Sequence, residues 1–224
     1  MLTEGKWDVK ILEHGWKALN STTPRPFRII SCATNDENSG EGTGGVETLR
    51  AALDSARIDQ PPTIGIFDRD KDGVEKGFNK LSNNFKASAS ADLKIQKAGT
   101  AAAILLPITA GREDYAKVLN LPIELLFSDA YISKEIMGKR LLLRPRIIRQ
   151  HVDNLALPLG ETETTQPHHQ QVVKDSKRAF AEIVVPTLPV GAFQPFRLIF
   201  ELIASALVQL QKARGLVAST TSTA

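Results

Sequence analysis

A short apolar run that ends in acidic residues constrains the fold of this chain more than any other stretch. Residues 64–73, IGIFDRDKDG, place an apolar segment, 64–67, between turn-forming residues 60–62 and Asp68. Such a run is typical of a buried strand in a parallel sheet. Asp68 and Asp70 lie two positions apart, so a backbone that stays extended puts both carboxylates on one face. Open α/β sheets bind ligands at this carboxyl end of their strands, which makes the pair a candidate site.

Two carboxylates held this close need a compensating positive charge or a proton. At a separation of ~4 Å and an effective dielectric constant near 20, they repel each other by about 4 kcal/mol. A cation, a bound proton or an Arg or Lys partner relieves that repulsion. A divalent metal ion is the simplest of these candidates.

The segments around this strand alternate between strand and helix patterns. Apolar side chains recur at helical spacing in the predicted helices, and short apolar runs mark the strands between them. This alternation predicts an α/β fold, with a parallel sheet flanked by helices. The predicted elements are strand 1–3, helix 7–19, strand 27–32, helix 46–56, strand 64–67 and helix 73–81.

The pattern changes after residue 81. Residues 92–98 and 103–108 are typical of two strands joined by Gly99 and Thr100, which form either a hairpin or an addition to the sheet edge. The remaining predicted elements are helix 122–136, polar loop 153–171, helices 174–185 and 193–212, and a disordered Ser/Thr tail, 218–224. We therefore expect an α/β core over residues 1–136, a mostly helical region over 137–217 and the tail.

Composition limits the class of protein. With 224 residues, 42% hydrophobic and 24% charged, the chain is long enough to bury a globular core. No apolar run approaches the length of a membrane span, and the first residues lack a signal-peptide pattern, so we expect a cytoplasmic protein without a membrane partner. The single Cys32 favours a buried small residue over a disulfide or a zinc cluster.

Two further acidic residues lie near the amino terminus. Glu4 follows the first predicted strand, and Asp8 falls in the first turn of the next helix, where the helix dipole favours an anion. The two side chains can converge on one point, although a surface Glu and a capping Asp give the same local pattern. Gly44 and Gly45 before the next helix permit either a phosphate contact or a tight turn. No GxxxxGK[ST] motif occurs, so the chain has no recognisable nucleotide-hydrolysing loop.

The DRDKDG segment has three interpretations. A calcium loop fits the spacing of its aspartates, but Asn79 stands where that loop needs Glu, and a strand precedes it instead of a helix. An aspartyl-nucleophile phosphatase carries a similar D-x-D-x-[TV] motif, here Asp70 to Val74, but on its first strand and not after its third.

Paired His168 and His169 offer a separate metal site, which the absence of a spaced carboxylate or Cys nearby disfavours.

The third interpretation combines several motifs. An acidic residue and Gly after a first strand, with D-x-D after a third, resemble the TOPRIM domain of topoisomerases, primases and related nucleases. Within that superfamily the chain resembles the nuclease domain of the OLD (overcoming lysogenization defect) family. The matching segments are TEGKWD at 3–8, Gly44 with Gly45, Asp68 to Asp70, LLP at 105–107, IELLF at 123–127, and Lys177 with Phe180 and Ala181.

This resemblance implies a metal-dependent endonuclease. A TOPRIM catalytic core would then occupy residues 1–136, and two ions, Mg²⁺ or Mn²⁺, would serve phosphodiester hydrolysis. The resemblance makes Glu4 and Lys177 catalytic residues, with Lys177 contacting the phosphate or the leaving group. Oxygen ligands suit these ions better than zinc. The implied metal ligands are Glu4, Asp8, Asp68, Asp70 and Glu124.

The partners implied by the resemblance are DNA and an ATPase. The basic segment 138–150 supplies candidate contacts to the DNA backbone, although a solvated charged face is equally typical of such a pattern. OLD proteins carry an ATPase domain ahead of the nuclease, which implies an ATPase domain or a separate ATPase chain. A non-catalytic TOPRIM module that binds DNA or a partner, or an RNA-processing nuclease, stays an alternative, and the oligomeric state is open. The candidate DNA contacts are Lys139, Arg140, Arg144, Arg146 and Arg149.

Overall fold

The computed structural model describes residues 1–32, 45–145, 168–173 and 176–221. Its strands are β1 (Leu2–Thr3), β2 (Ile30–Ser31), β3 (Thr63–Phe67), β4 (Arg69–Asp70), β5 (Phe85–Ala87), β6 (Leu93–Gln96), β7 (Ala101–Leu105), β8 (Asn120–Leu121), β9 (Leu143–Pro145) and β10 (Gln171–Val173). Its α-helices are α1 (Lys6–Leu19), α2 (Val46–Asp54), α3 (Glu113–Lys117), α4 (Asp129–Ile132), α5 (Lys177–Ala179) and α6 (Arg197–Thr221).

A six-stranded sheet forms the centre of the fold, in the order β2-β1-β3-β7-β6-β5. Strands β2, β1, β3 and β7 run parallel, whereas β6 and β5 are antiparallel additions at one edge. The predicted α/β class is confirmed, and so is the hairpin that joins β6 to β7. Two short antiparallel pairs lie outside this sheet, β4 with β8 and β9 with β10.

Strand β3 is buried on both faces, as its apolar sequence predicts. Ile64 and Ile66 belong to one core cluster, and Phe67 belongs to the cluster on the opposite side. The first cluster joins the sheet to α1, α6 and the π-helical turn Phe180–Val184, and the second joins it to α2. At Gly65 an added Cβ would lie 2.7 Å from a methyl carbon of Leu53, so glycine lets α2 pack closely on the strand.

The carboxyl-terminal helix packs against the central sheet. The face of α6 that carries Ile199, Ile203 and Leu210 is buried in the larger core. The stretch Val190–Gly215 is long and apolar enough to cross a membrane by length and composition alone. A core helix of a globular domain meets the same criterion, and 39% of the relevant window is buried here.

Several predicted elements differ from the observed ones. The predicted helix over 122–136 is wrong, because the structure has a 3₁₀ turn, Ile123–Leu126, and then the short helix α4. Pro122 and the extended backbone at Phe127 and Ser128 interrupt the helical path. The predicted helix over 73–81 is a π-helical turn, Gly73–Gly77, followed by a 3₁₀ turn, Phe78–Lys80.

The predictions for the carboxyl-terminal third have mixed outcomes. Helical structure over 177–187 agrees with the predicted helix 174–185. Helix α6 continues to Thr221, into the segment predicted as a disordered tail, because Ser and Thr lower helix propensity only slightly. Most of the predicted loop 153–171 lies outside the described residues, and the domain boundary at residue 136 stays a prediction.

Candidate functional site

The site is built at the carboxyl ends of neighbouring parallel strands. Glu4 follows β1 and Asp68 follows β3, and these two strands pair directly, with Thr3 opposite Ile66. Consequently the backbone N–H of Asp68 donates to Glu4 Oε1 at 3.2 Å. Parallel pairing therefore brings together two acidic residues that are separated by 64 positions in the chain.

Asp8 reaches the same region from the first turn of α1. The backbone N–H of Gly5 donates to Asp8 Oδ2 at 2.9 Å, which closes the turn between β1 and the helix. A Cβ on Gly5 would lie 3.2 Å from that oxygen, so the absence of a side chain there permits the contact. Asp8 is 6% exposed, and a solvated capping residue would not be buried to this extent.

Asp70 is held by a local turn and not by a continuation of β3. The main strand ends at Phe67, and Asp70 leaves the sheet in β4, which pairs with β8. The backbone N–H of Gly73 donates to Asp70 Oδ1 at 2.7 Å. The expectation that an extended backbone alone aligns Asp68 with Asp70 is therefore too simple, because separate contacts hold each carboxylate.

Glu124 approaches from the 3₁₀ turn after β8. Its neighbour Ile123 donates a backbone N–H to Asp68 Oδ1 at 3.1 Å, which fixes this turn against the end of β3. Glu124 is fully buried; its Oε1 pairs with the Lys177 ammonium at 3.0 Å, and its Oε2 has no hydrogen-bond partner among the residues that the structure describes. A buried carboxylate oxygen without a donor is costly, so Oε2 is the part of this side chain that the described residues leave unsatisfied.

Lys177 supplies one positive charge to the cluster. Its Nζ lies 3.0 Å from Glu124 Oε1, and 37% of its side chain is exposed. The ring of Phe127 packs edge-on against Phe180 with centroids 5.6 Å apart, which holds the Glu124 turn against the helix that begins at Lys177. Burial lowers the pKa of Lys177, but the charges of Glu124, Asp8 and Asp68 outweigh it, so the net shift is upward and Lys177 stays protonated.

One lysine does not neutralise the remaining carboxylates. Burial, followed by the charge of Asp70, raises the pKa of Glu4 to about 8. Burial raises the pKa of Asp8 to about 6, with a contribution from Glu124 and against the opposing effect of Lys177. The pKa of Asp68 is well above its usual range because of burial and of the charges of Asp8 and Glu4. Burial also raises the pKa of Asp70. These shifts together indicate a site short of positive charge.

The carboxylate groups of this cluster are suitable ligands for a hard divalent cation, but their present positions do not form a metal-binding group. Carboxylate oxygens are the ligands preferred by Mg²⁺ and Mn²⁺, and Glu124 Oε2 has no hydrogen-bond partner among the described residues. Within the described residues, no three carboxylate, imidazole or thiolate groups already form a metal-binding group. Ligation would therefore need these side chains to turn toward one another.

Arg69 holds the acidic turn in place, and the sequence analysis did not single it out. Its Nε donates to the carbonyl oxygen of Leu106 at 2.7 Å, and its guanidinium pairs with Asp92. Asp92 directly precedes β6 and Leu106 directly follows β7, so Arg69 ties the segment between Asp68 and Asp70 to these two strands of the sheet. The only feature of the sequence that points to Arg69 is its position between two candidate ligands, Asp68 and Asp70. That position does not show which way its side chain points.

A second polar cluster, around Asp129, also escaped prediction. Asp129 Oδ1 accepts hydrogen bonds from the buried Arg112, at 2.6 Å, and from the hydroxyl of Tyr115, at 2.9 Å. His168 Nδ1 lies 3.6 Å from the other oxygen, Oδ2. The residues of this cluster come from separate segments of the chain, so no local sequence motif predicts that they lie together. The sequence analysis found no spaced carboxylate near His168. In the structure, Asp129 at the start of α4 lies beside it.

The basic segment is only partly described. Lys139, Arg140 and Arg144 are exposed, which fits both a solvated face and a surface that contacts an anion. Arg146 and Arg149 lie outside the described residues. Arg140 also lines a cavity of about 170 Å³ together with Ser133 and His168.

Comparison with known proteins yields no significant match to a protein-family model, to a curated protein or to a solved structure. The assignment of a function therefore rests on the geometry and chemistry of the residues described above.

Proposed function

We propose that this chain is a metal-dependent endonuclease that hydrolyses or nicks DNA phosphodiester bonds, with a TOPRIM core related to OLD nucleases. The observation that supports the proposal is the convergence of the fully buried Glu124, whose Oε2 has no hydrogen-bond partner among the described residues, with Lys177 and the carboxylates at the ends of β1 and β3. A purely structural acidic cluster would be expected to satisfy its buried oxygens with donors from the protein.

The chemistry requires a polarised water and neutralisation of the charge that develops on the leaving oxygen, both of which two divalent ions supply when bound. The residues that would hold Mg²⁺ or Mn²⁺ are Glu4, Asp8, Asp68, Asp70 and Glu124. Glu4, at the end of β1 and hydrogen-bonded to the backbone of Asp68, is the candidate proton acceptor. Lys177 keeps its proton and can stabilise the anionic phosphate or the leaving oxygen.

The proposal includes partners and a location. DNA is the substrate, with backbone contacts from the basic segment, and an ATPase domain or a separate ATPase chain is the protein partner. The cytoplasm is the proposed location. Cleavage of structured RNA is the nearest alternative, because a cluster of carboxylates and a lysine acts on the phosphodiester and not on the base.

The proposal predicts metal-dependent conversion of supercoiled plasmid to relaxed or linear DNA. Purified protein should cut in Mg²⁺ or Mn²⁺ and not in EDTA, as measured by gel electrophoresis. Asp68→Ala should lower the rate by about 100-fold or more, since it removes a carboxylate from the centre of the cluster. Asp68→Asn keeps an acceptor for the Ile123 N–H and should be equally impaired, which separates lost chemistry from misfolding.

Asp59→Ala is the matched control, because Asp59 is a surface carboxylate that pairs only with Arg57 among the described residues. Its plasmid cleavage should equal that of the wild type. Equal activity of the Asp68 variants and the wild type would place any observed cleavage elsewhere. No cleavage of plasmid or structured RNA by wild type in either metal would contradict the nuclease proposal and favour a binding module.

A further inference from the structure

A cavity beside the Asp129 cluster has several polar side chains in its wall. It measures about 170 Å³ and is lined on its polar side by Arg140, His168 and Ser133. Pockets for drug-sized ligands typically measure about 300–1,000 Å³, so this cavity is too small for a nucleoside but has room for one tetrahedral anion. A guanidinium, an imidazole and a hydroxyl are all suitable donors to phosphate oxygens.

The charges near the cavity favour an anion. Arg140 is exposed, and it forms no salt bridge with a carboxylate in the part of the chain that the structure describes. Asp129 pairs with His168, and its charge is offset by Arg112 at 2.6 Å and by the hydroxyl of Tyr115. Asp129 Oδ2 lies 3.6 Å from Nδ1 of the His168 imidazole.

Two short connections place the cavity next to the acidic cluster. On one side, the backbone N–H of the lining residue Leu142 donates to Ser176 Oγ at 2.6 Å, and Ser176 directly precedes Lys177. On the other side, Asn120, which pairs with Asp70 across the β4–β8 ladder, donates to the carbonyl oxygens of His169 and Gln171. With 3.8 Å between consecutive Cα atoms, the cavity lies within roughly 15 Å of the Lys177 ammonium group.

We propose that this cavity binds a backbone phosphate of the polynucleotide whose scissile bond lies at the acidic cluster. A phosphate recurs every ~3.4 Å of helix axis along each strand, so one only a few nucleotides away reaches the cavity while another lies beside Lys177. The contact carries no sequence information and fixes the register of the strand. The inference rests on the proposed function for its ligand, but its residues are separate from the cluster.

The test is equilibrium binding of a fluorescent 20-base-pair DNA duplex in Ca²⁺, which takes the same oxygen ligands as Mg²⁺. Arg140→Gln should weaken binding about 3–10-fold at low salt. It should also reduce the slope of log K against log salt by about 0.9, the value for one lost phosphate contact. Arg140→Lys should retain most of that slope. Lys86→Gln, an exposed lysine on the edge strand β5, is the charge-matched control and should leave the slope unchanged.

A second measurement uses inorganic phosphate alone. The imidazole NMR resonances of His168 should shift saturably with phosphate in the wild type and not in Arg140→Gln, and the DNA duplex should compete for the site. An equal loss of slope in Arg140→Gln and Lys86→Gln would overturn the proposal, as would a phosphate shift that DNA does not affect.

The two proposals fail in different ways. If wild-type protein cuts plasmid while Arg140→Gln binds DNA with an unchanged salt slope, the nuclease stands and the phosphate site is overturned. If Arg140→Gln loses the slope while the wild type shows no metal-dependent cleavage, the phosphate site is supported and the nuclease is overturned.

Discussion

At the scale of single residues, Glu4 is a carboxyl group whose pKa is raised by burial and by a neighbouring carboxylate. Its carboxyl group has an ordinary pKa of 4.5, and burial together with Asp70 raises the value in the fold to about 8. Between these values the folded protein keeps a proton that the unfolded chain has released. The free energy of unfolding contributed by Glu4 therefore falls as pH rises through this window.

This sign leads to a pH prediction for the metal-free protein. In EDTA the melting temperature should fall by about 5–10 °C between pH 5.5 and pH 8, because one pKa unit corresponds to about 1.4 kcal/mol and 1 kcal/mol to about 2–4 °C in a chain of this size. Glu4→Gln should flatten this dependence in differential scanning fluorimetry. Glu47→Gln, on the exposed side of α2, is the control and should keep the wild-type slope. An unchanged slope in Glu4→Gln would show that other groups dominate.

At the scale of elements, the turn after β3 determines the geometry of the site. Arg69 ties this turn to Leu106 and Asp92 at the sheet edge, while Gly73 closes it through its N–H to Asp70. A Cβ on Gly73 would overlap the carbonyl oxygen of Asp68 and lie 3.2 Å from Asp70 Oδ1. Glycine at this position is therefore required by close packing and not by a positive φ.

Gly73→Ala should consequently damage both the fold and the site. The expected loss is about 1–3 kcal/mol in the free energy of unfolding from overpacking, measured by urea denaturation, together with loss of plasmid cleavage. Gly191→Ala is the matched control, since an added Cβ there has no neighbour within 4 Å. Its free energy of unfolding should stay within about 1 kcal/mol of wild type. Wild-type stability of Gly73→Ala would contradict the close packing of this turn.

At the scale of the whole molecule, the site draws its members from most of the chain. Glu4 and Lys177 are far apart in the sequence, and the π-helical turn Phe180–Val184 that follows Lys177 shares one core cluster with the central strands β3 and β7. An ion held by this set stabilises the entire fold and not a single loop, because unfolding of any contributing element removes a ligand.

Metal binding should therefore raise the melting temperature of the whole protein in one transition. At an Mg²⁺ concentration of 100 times the dissociation constant, mass action contributes about 2.7 kcal/mol, or roughly 5–10 °C, at pH 8. Differential scanning calorimetry should show a single shifted peak for the wild type and no shift for Asp68→Asn. A shift of equal size in both proteins would locate ion binding outside the cluster.

The sequence by itself determined the strands and helices whose patterns are strongest. The buried strand β3, helix α1, the β6–β7 hairpin and the mostly parallel sheet were predictable, because periodic burial leaves a periodic pattern in the chain. The sequence also predicted the residues Glu4, Asp8, Asp68, Asp70, Glu124 and Lys177, which the structure brings to one end of the sheet. Their assigned roles stay a proposal.

Only the tertiary structure decided how these residues are held and what surrounds them. The 3₁₀ turn at Glu124 replaced a predicted helix because Asp68 and the core at Phe127 fix its path through long-range contacts. The roles of Arg69 and of the Asp129 cluster depend on side-chain directions and on partners far apart in sequence. Local patterns do not encode such contacts, because they form only when distant elements pack against one another.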